Sequence, residues 1–87
     1  MTQILDSTPD TMRSAPRLTR REVEVARTWF RSSSKAVAAG VLTIREDTVR
    51  SHVTNIRNKY HALGRDAGTK SAMRARMLED GFLEETH

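Results

Sequence analysis

The sequence contains no cysteine, which excludes a disulfide framework, a thiolate metal site and a cysteine nucleophile. It has no long apolar run either: the longest, residues 36–42, is far short of the ~20 residues that span a bilayer. The N-terminus carries Asp6 and Asp10 and no apolar stretch, so we do not expect a signal peptide. Only 37% of the 87 residues are hydrophobic, which favours one small domain with a lean core. These shortages predict a soluble protein of a reducing compartment, with no membrane partner.

Features that enzymes need are also missing. The sequence has no glycine-rich phosphate loop, no paired inward carboxylates and no metal-ligand cluster. His52 and His61 lie nine residues apart and His87 is at the terminus, so no pair is spaced as ligands. We therefore expect a protein that is not an enzyme, with no catalytic residue, cofactor, metal or small-molecule substrate. For His52 a structural or phosphate-facing role is favoured.

The charge is distributed unevenly along the chain. The formal net charge is +4, but residues 1–17 sum to zero, residues 18–47 to +2, residues 48–76 to +6 and the last stretch to −4. A local excess of six positive charges on about a third of the chain suggests a polyanionic partner. The alternative for such a segment is an ordinary solvated surface.

Apolar spacing and capping residues predict four helices and no strand, an all-α fold. Residues 1–17 lack apolar periodicity and are expected to form a flexible lead-in that ends just after Pro16. The first helix should begin at a capping box, Thr19-x-x-Glu22, and Gly81 should end the last one. The approximate predicted spans are 19–31, 35–40, 46–60 and 69–79. Gly40 or its neighbours should end the second helix, with residues 41–44 as a turn and residues 61–68 as a loop.

The third predicted helix has one apolar stripe and a polar remainder. Val49, Val53, Ile56 and Tyr60 recur at i, i+4, i+7 and i+11, as a buried face requires. A second capping box, formed by Thr43 and Glu46, would allow this helix to start a residue or two early. Elsewhere, the large aromatic residues Trp29 and Phe30 are expected in the core.

Two short helices joined by a tight turn, the second with an exposed polar face, are typical of a helix-turn-helix. The major groove of DNA admits one helix, in which Arg can bind guanine, Asn can bind adenine, and Ser or Thr can donate flexibly. Lys and Arg near the helix ends would neutralise phosphates. This pattern alone is weak, because many polar helices share it.

A longer match is more specific. Residues 18–25 (LTRREVEV) resemble the L-T-x-R-E-x-E-V opening of the LuxR/NarL-type helix-turn-helix family, the effector domains of response regulators. Residues 48–59 (TVRSHVTNIRNK) resemble its recognition helix, T-V-[KR]-x-H-[LV]-x-N-I-x-x-K, at the usual spacing. The resemblance covers residues 18–83, preceded by the lead-in 1–17 and followed by an acidic tail, 84–87. It implies a sequence-specific double-stranded DNA-binding regulator of transcription in the bacterial cytoplasm.

The resemblance also implies roles for individual residues. Arg50, Ser51 and Thr54 match groove-facing positions, and Asn55 is a further base-contact candidate that could instead bond locally or to phosphate. For Ser34 and Lys35 a capping role alone is equally plausible, since they flank a helix N-terminus. The implied phosphate contacts are Ser34, Lys35, Thr48, Arg57 and Lys59.

The last helix makes the dimer contact in this family, which implies a weak homodimer through Met73, Met77 and Leu78, stabilised on DNA. Met73, Met77 and Leu78 could equally be core residues. An insertion of about five residues near Gly64–Gly68 leaves open whether Arg65 or Lys70 matches the family's loop arginine.

Two further alternatives concern the chain as a whole. Family members usually carry a sensor domain, whereas only 17 residues precede the motif here, so a single-domain member or an excised effector domain is expected. A small helical adaptor, contacting RNA polymerase for example, is the competing function. The two functions differ in the salt dependence of DNA binding.

Overall fold

The structure, a computed structural model, describes residues 15–83, which form four α-helices and no strand. The predicted all-α fold is confirmed. Most of the predicted lead-in, residues 1–14, and the predicted acidic tail, residues 84–87, lie outside the described residues. The helices are α1 (Arg20–Phe30), α2 (Lys35–Leu42), α3 (Glu46–Ala62) and α4 (Lys70–Glu79).

The N-terminus of α1 forms the predicted capping box. The Thr19 hydroxyl accepts a hydrogen bond from the Glu22 amide at 3.0 Å, and the Thr19 amide donates to Glu22 Oε1 at 2.9 Å. Two of the amides that a helix start leaves unpaired are thereby satisfied. The Glu22 side chain also accepts a hydrogen bond from Lys59, near the end of α3.

The end of α2 differs from the prediction. Gly40 does not end the helix, which continues for two more residues, and Thr43 adopts the left-handed conformation instead, with φ 58°. The Ile44 amide donates to the Ala39 carbonyl at 3.0 Å and closes the turn. Left-handed backbone favours glycine over a β-branched residue, so the sequence pointed to Gly40. Burial of Ala38 and Ala39 and the start of α3 fix the turn at Thr43.

The start of α3 is at Glu46, as predicted, but without the second capping box. Thr43 belongs to the turn that ends α2, so its hydroxyl does not cap α3, and Arg45 occupies the N-cap position without a side-chain hydrogen bond. The helix also extends two residues past Tyr60, to Ala62, so that His61 and Ala62 are helical rather than part of the loop.

The last helix, α4, follows the prediction closely. The Thr69 hydroxyl accepts from the Ala72 amide at 3.0 Å, and Gly81, with φ 81°, follows the helix end. The Phe82 amide donates to the Met77 carbonyl at 2.9 Å, which is the hydrogen bond expected where a left-handed glycine ends a helix.

The core lies where α1, α2 and α3 pack on one another in pairs. The predicted stripe of α3 is fully buried, Trp29 is 6% exposed, and Phe30 packs partly buried against the cluster. From α4, Met73 and Met77 are both fully buried in the same core. The apolar stripe of α3 therefore has its partners on the other three helices.

We expect Val53→Asp to abolish cooperative thermal unfolding. Val53 is fully buried. The free-energy cost of burying an unpaired carboxylate there exceeds the ~5–10 kcal/mol by which a domain of this size is stable. Thr54→Asp, one position along on the exposed face, is the control and should melt close to the parent. The measurement is a thermal melt followed by circular dichroism; a parent-like melt for Val53→Asp would contradict the helical register.

Candidate nucleic-acid interface

The exposed face of α3 follows from its buried one. Four polar residues repeat the spacing of the buried stripe two positions earlier in the chain. Two residues turn a helix by about 200°, so this second stripe lies on the opposite side. Its members, all exposed, are Asp47, Ser51, Thr54 and Asn58.

The four predicted base-contact residues lie together on this side of the helix. Arg50, Ser51, Thr54 and Asn55 are exposed and line one shallow concavity. Asp47 lines it too, although the sequence analysis did not assign that residue a role. The surface offers hydrogen-bond donors and acceptors over about two turns of helix.

Arg50 is held at the N-terminal end of this surface by two carboxylates. Its Nη2 donates to Glu46 Oε2 at 2.9 Å and its Nη1 donates to Asp47 Oδ1 at 3.1 Å. The Arg50 side chain is 54% exposed, and such surface ion pairs contribute about 0–1 kcal/mol. The pairs orient the guanidinium without burying it.

The N-terminus of α2 lies beside two lysines that flank one aromatic ring. Ser34 caps the helix, since its hydroxyl accepts from the Val37 amide at 3.1 Å. The ammonium of Lys35 lies 4.8 Å from the centroid of the Trp29 ring, and that of Lys70 lies 5.3 Å from it. The positive end of a helix and two cations therefore meet at this point.

Three residues next to the exposed face are only partly accessible. Thr48, His52 and Arg57 are all half-buried. The Nδ1 atom of His52 and the Nε atom of Arg57 are buried, and neither has a hydrogen-bond partner among the described residues. The Arg57 side chain is therefore buried as far as its Nε atom.

Lys59 pairs with the buried carboxylate of the α1 capping box. Its ammonium donates to Glu22 Oε1 at 2.8 Å and to the Arg17 carbonyl at 2.9 Å. Glu22 is only 5% exposed, so Lys59 supplies the charge that this buried carboxylate needs. The predicted phosphate contact of Lys59 stays a prediction beside this structural role. Thirty-seven residues separate the pair, and no local pattern in the sequence indicates it.

The surroundings of Glu22 favour its ionised form. Burial raises the pKa of the carboxyl, but the hydrogen bonds from Lys59 and the Thr19 amide, with the charge of Lys59, lower it more. The charge of His52 acts in the same direction. The net result is a pKa below the ordinary value of 4.5.

A comparison with family models identifies the domain: the model described as "Bacterial regulatory proteins, luxR family" matches residues 16–69. The chain belongs to this family. Its helix-turn-helix is the DNA-binding domain of a regulator of transcription. Searches of curated proteins and of solved structures gave no match.

The luxR-family match ends at Thr69, the N-cap of α4. The predicted domain boundary at residue 83 therefore stays a prediction, as does the insertion near Gly64–Gly68. Within the described range, no helix combines the length and hydropathy that crossing a membrane requires.

The two candidates for the family's loop arginine have different surroundings. Arg65 Nη1 donates to Asp80 Oδ2 at 2.8 Å and Nη2 to Glu79 Oε1 at 3.1 Å, while its guanidinium lies 5.1 Å from the centroid of Tyr60. It therefore ties the end of α4 to α3. Lys70 donates to the Ser32 carbonyl at 2.7 Å and lies next to Trp29 and the start of α2. Of the two, Lys70 is the one beside the helix-turn-helix.

The residues predicted for a dimer contact are mostly core residues. Met73 and Met77 have no exposed surface, so as placed here they cannot contact a second chain. Leu78 is half-buried, and Phe82 next to it packs partly against the core. The large apolar side chains near the end of α4 that keep some exposure are therefore Leu78 and, just past the helix, Phe82.

Acid should destabilise the parent in a way that depends on Glu22. The folded pKa of Glu22 is depressed, so the unfolded chain takes up the proton first as the pH falls below about 4.5. Glu22→Gln should therefore lower stability at pH 7 and flatten its decline below pH 4.5. Urea unfolding between pH 7 and pH 3 measures both.

Glu24→Gln is the matched control on the same helix, because the Glu24 side chain is 52% exposed and pairs only at the surface with Arg21. It should follow the parent curve. If Glu22→Gln and Glu24→Gln behaved alike, the buried pair with Lys59 would have no special effect on stability.

Proposed function

We propose that this luxR-family domain regulates transcription by inserting α3 into the major groove and binding double-stranded DNA sequence-specifically. The supporting observation is the polar concavity of Arg50, Ser51, Thr54 and Asn55 on the face opposite the buried stripe. These side chains suit base edges: Arg can bond guanine O6 and N7, and Asn can bond adenine. A regulator of this kind acts on the chromosome, and we place it in the bacterial cytoplasm.

Phosphates on either side of the groove would be bound by residues near the ends of α2 and α3. Lys35 and Lys70 flank the positive end of α2, and the Ser34 hydroxyl keeps its own hydrogen for donation while it accepts from Val37. Thr48 and Arg57 lie beside the groove-facing stripe of α3. These contacts fix the position of the helix and carry no sequence information.

Arg50→Ala should remove sequence preference while leaving the fold intact. A bidentate contact between Arg and guanine is worth about 1–3 kcal/mol of discrimination, and Arg50 makes only surface contacts in the free protein. The measurement is the ratio of affinities for a selected site and for random DNA. An unchanged ratio would contradict the assignment of Arg50 to the groove.

Lys70→Ala and Arg57→Ala are the contrasting variants, since a lost phosphate contact weakens binding to every sequence. Each should lower the slope of log affinity against log salt by about one and leave the ratio of specific to random binding unchanged. The same titration tests the alternative of an adaptor for RNA polymerase. An adaptor would bind the selected site no more tightly than random DNA.

We also propose a weak homodimer that forms on DNA through α4, because one recognition helix reads few base pairs and paired half-sites lie about one DNA turn apart. The exposed parts of Leu78 and Phe82 are the available surface. Light scattering should show mostly monomer in solution, and footprinting should show two protected half-sites.

Leu78→Glu should reduce the footprint to one half-site. Leu63→Glu changes a 40%-exposed leucine outside α4 and should leave the footprint unchanged. A single protected half-site for the parent at saturation would rule out the dimer.

A further inference from the structure

Asp47 lies at the N-terminal end of the face that we propose enters the groove, on the midline of its exposed stripe. It is the second residue of α3, its side chain is 75% exposed, and it lines the same concavity as Arg50, Ser51, Thr54 and Asn55. The N-terminal residues of a recognition helix are the ones that reach base edges. Its position is thus that of a base-contact residue, although its charge has the same sign as DNA.

A carboxylate at this position is unfavourable unless something on the DNA pairs with it. The phosphates repel it, and most atoms at the base edges of the major groove are acceptors that repel it too. Contact with Arg50 compensates only one side of the group, because Arg50 Nη1 binds Oδ1 and leaves Oδ2 without a partner among the described residues. The free oxygen requires a donor.

The major groove offers two such donors, the exocyclic amines of cytosine N4 and adenine N6. Asp and Glu side chains accept from cytosine N4, whereas guanine O6 and thymine O4 present only acceptors. A guanine or thymine opposite Asp47 would leave two acceptors facing each other. Such repulsion discriminates between bases as effectively as an attraction does.

We propose that Asp47 is a specificity-determining residue that selects cytosine at the position next to the guanine bound by Arg50. This inference rests on the proposed binding of α3 in the major groove. Arg50 has five N–H donors, so it can bind guanine with two of them while another keeps its contact with Asp47 Oδ1. Asp47 thereby serves two functions: Oδ1 orients Arg50 and Oδ2 reads the neighbouring base.

Glu46 provides a matched control within the same cluster. It also pairs with Arg50, at 2.9 Å, and it is the residue before Asp47. However, Glu46 lies about 100° round the helix from Asp47, towards the buried stripe, and does not line the concavity. A role limited to orienting Arg50 would be shared by both acids, whereas a role in reading a base belongs to Asp47 alone.

The test is selection of binding sites from random double-stranded DNA with the full chain, the parent against Asp47→Ala, Asp47→Asn and Glu46→Ala. The parent should select a guanine with an adjacent cytosine. Asp47→Ala should accept any base at the cytosine position. Its affinity for sites with guanine or thymine there, relative to its best site, should rise tenfold or more over the parent's. Asp47→Asn should shift the preference to adenine, which an amide binds through N6 and N7.

Glu46→Ala should keep the parent's preference at that position. Circular dichroism melts of the four proteins should agree, since both acids are exposed. If Asp47→Ala selected the same motif as the parent, or lost affinity equally for all sequences, the inference would be overturned while the proposed function stood. A parent that selected no motif would overturn both.

Discussion

The burial of one stripe on α3 is the constraint on which the remaining architecture depends. Val49, Val53, Ile56 and Tyr60 have no exposed surface, and they account for a large share of the core of a small, lean domain. Rotating the helix would expose them, at a cost of about 1.5–3 kcal/mol for each large side chain. The stripe two positions earlier is therefore held outward, and the polar surface that we propose for DNA is a consequence of core packing.

A buried ion pair secures the same helix at its other end. Glu22 closes the capping box of α1 and accepts a hydrogen bond from Lys59, near the end of α3. Breaking a buried pair by removing one partner costs about 3–5 kcal/mol, because the other charge stays buried. This pair links the start of one helix to the end of another. The Lys59 side chain is 35% exposed, so water lowers the free-energy cost of leaving Lys59 unpaired when Glu22 is removed.

Cations divide into those that hold the fold and those that remain for a ligand. Arg65 neutralises Asp80 and Glu79 and lies against Tyr60, whose pKa is raised by burial and by its hydrogen bond to Asp80. Lys59 serves Glu22 in the same way. Lys35 and Lys70, by contrast, contact an aromatic ring and a carbonyl but no carboxylate among the described residues. The basic charge of the sequence therefore overstates the charge offered to DNA.

Local patterns predicted the helices, the capping box at Thr19 and the end of the last helix at Gly81, because those features depend on residues within about one turn of each other. The same reasoning placed the end of α2 at Gly40 or its neighbours, where conformational preference favours a stop. The structure uses Thr43, because the packing of α2 against α3 decides where the chain must turn. Propensity was outweighed there by tertiary contacts.

The sequence by itself determined the fold class, the family and the residues on the exposed face of α3, since periodicity and the two motifs are properties of order along the chain. Only the tertiary structure decided what each charged side chain does. Lys59 meets Glu22 across 37 residues, Arg65 meets Asp80 across 15, and Met73 and Met77 are buried by helices distant in sequence. Such contacts depend on distances in space, which no local spacing of residues encodes.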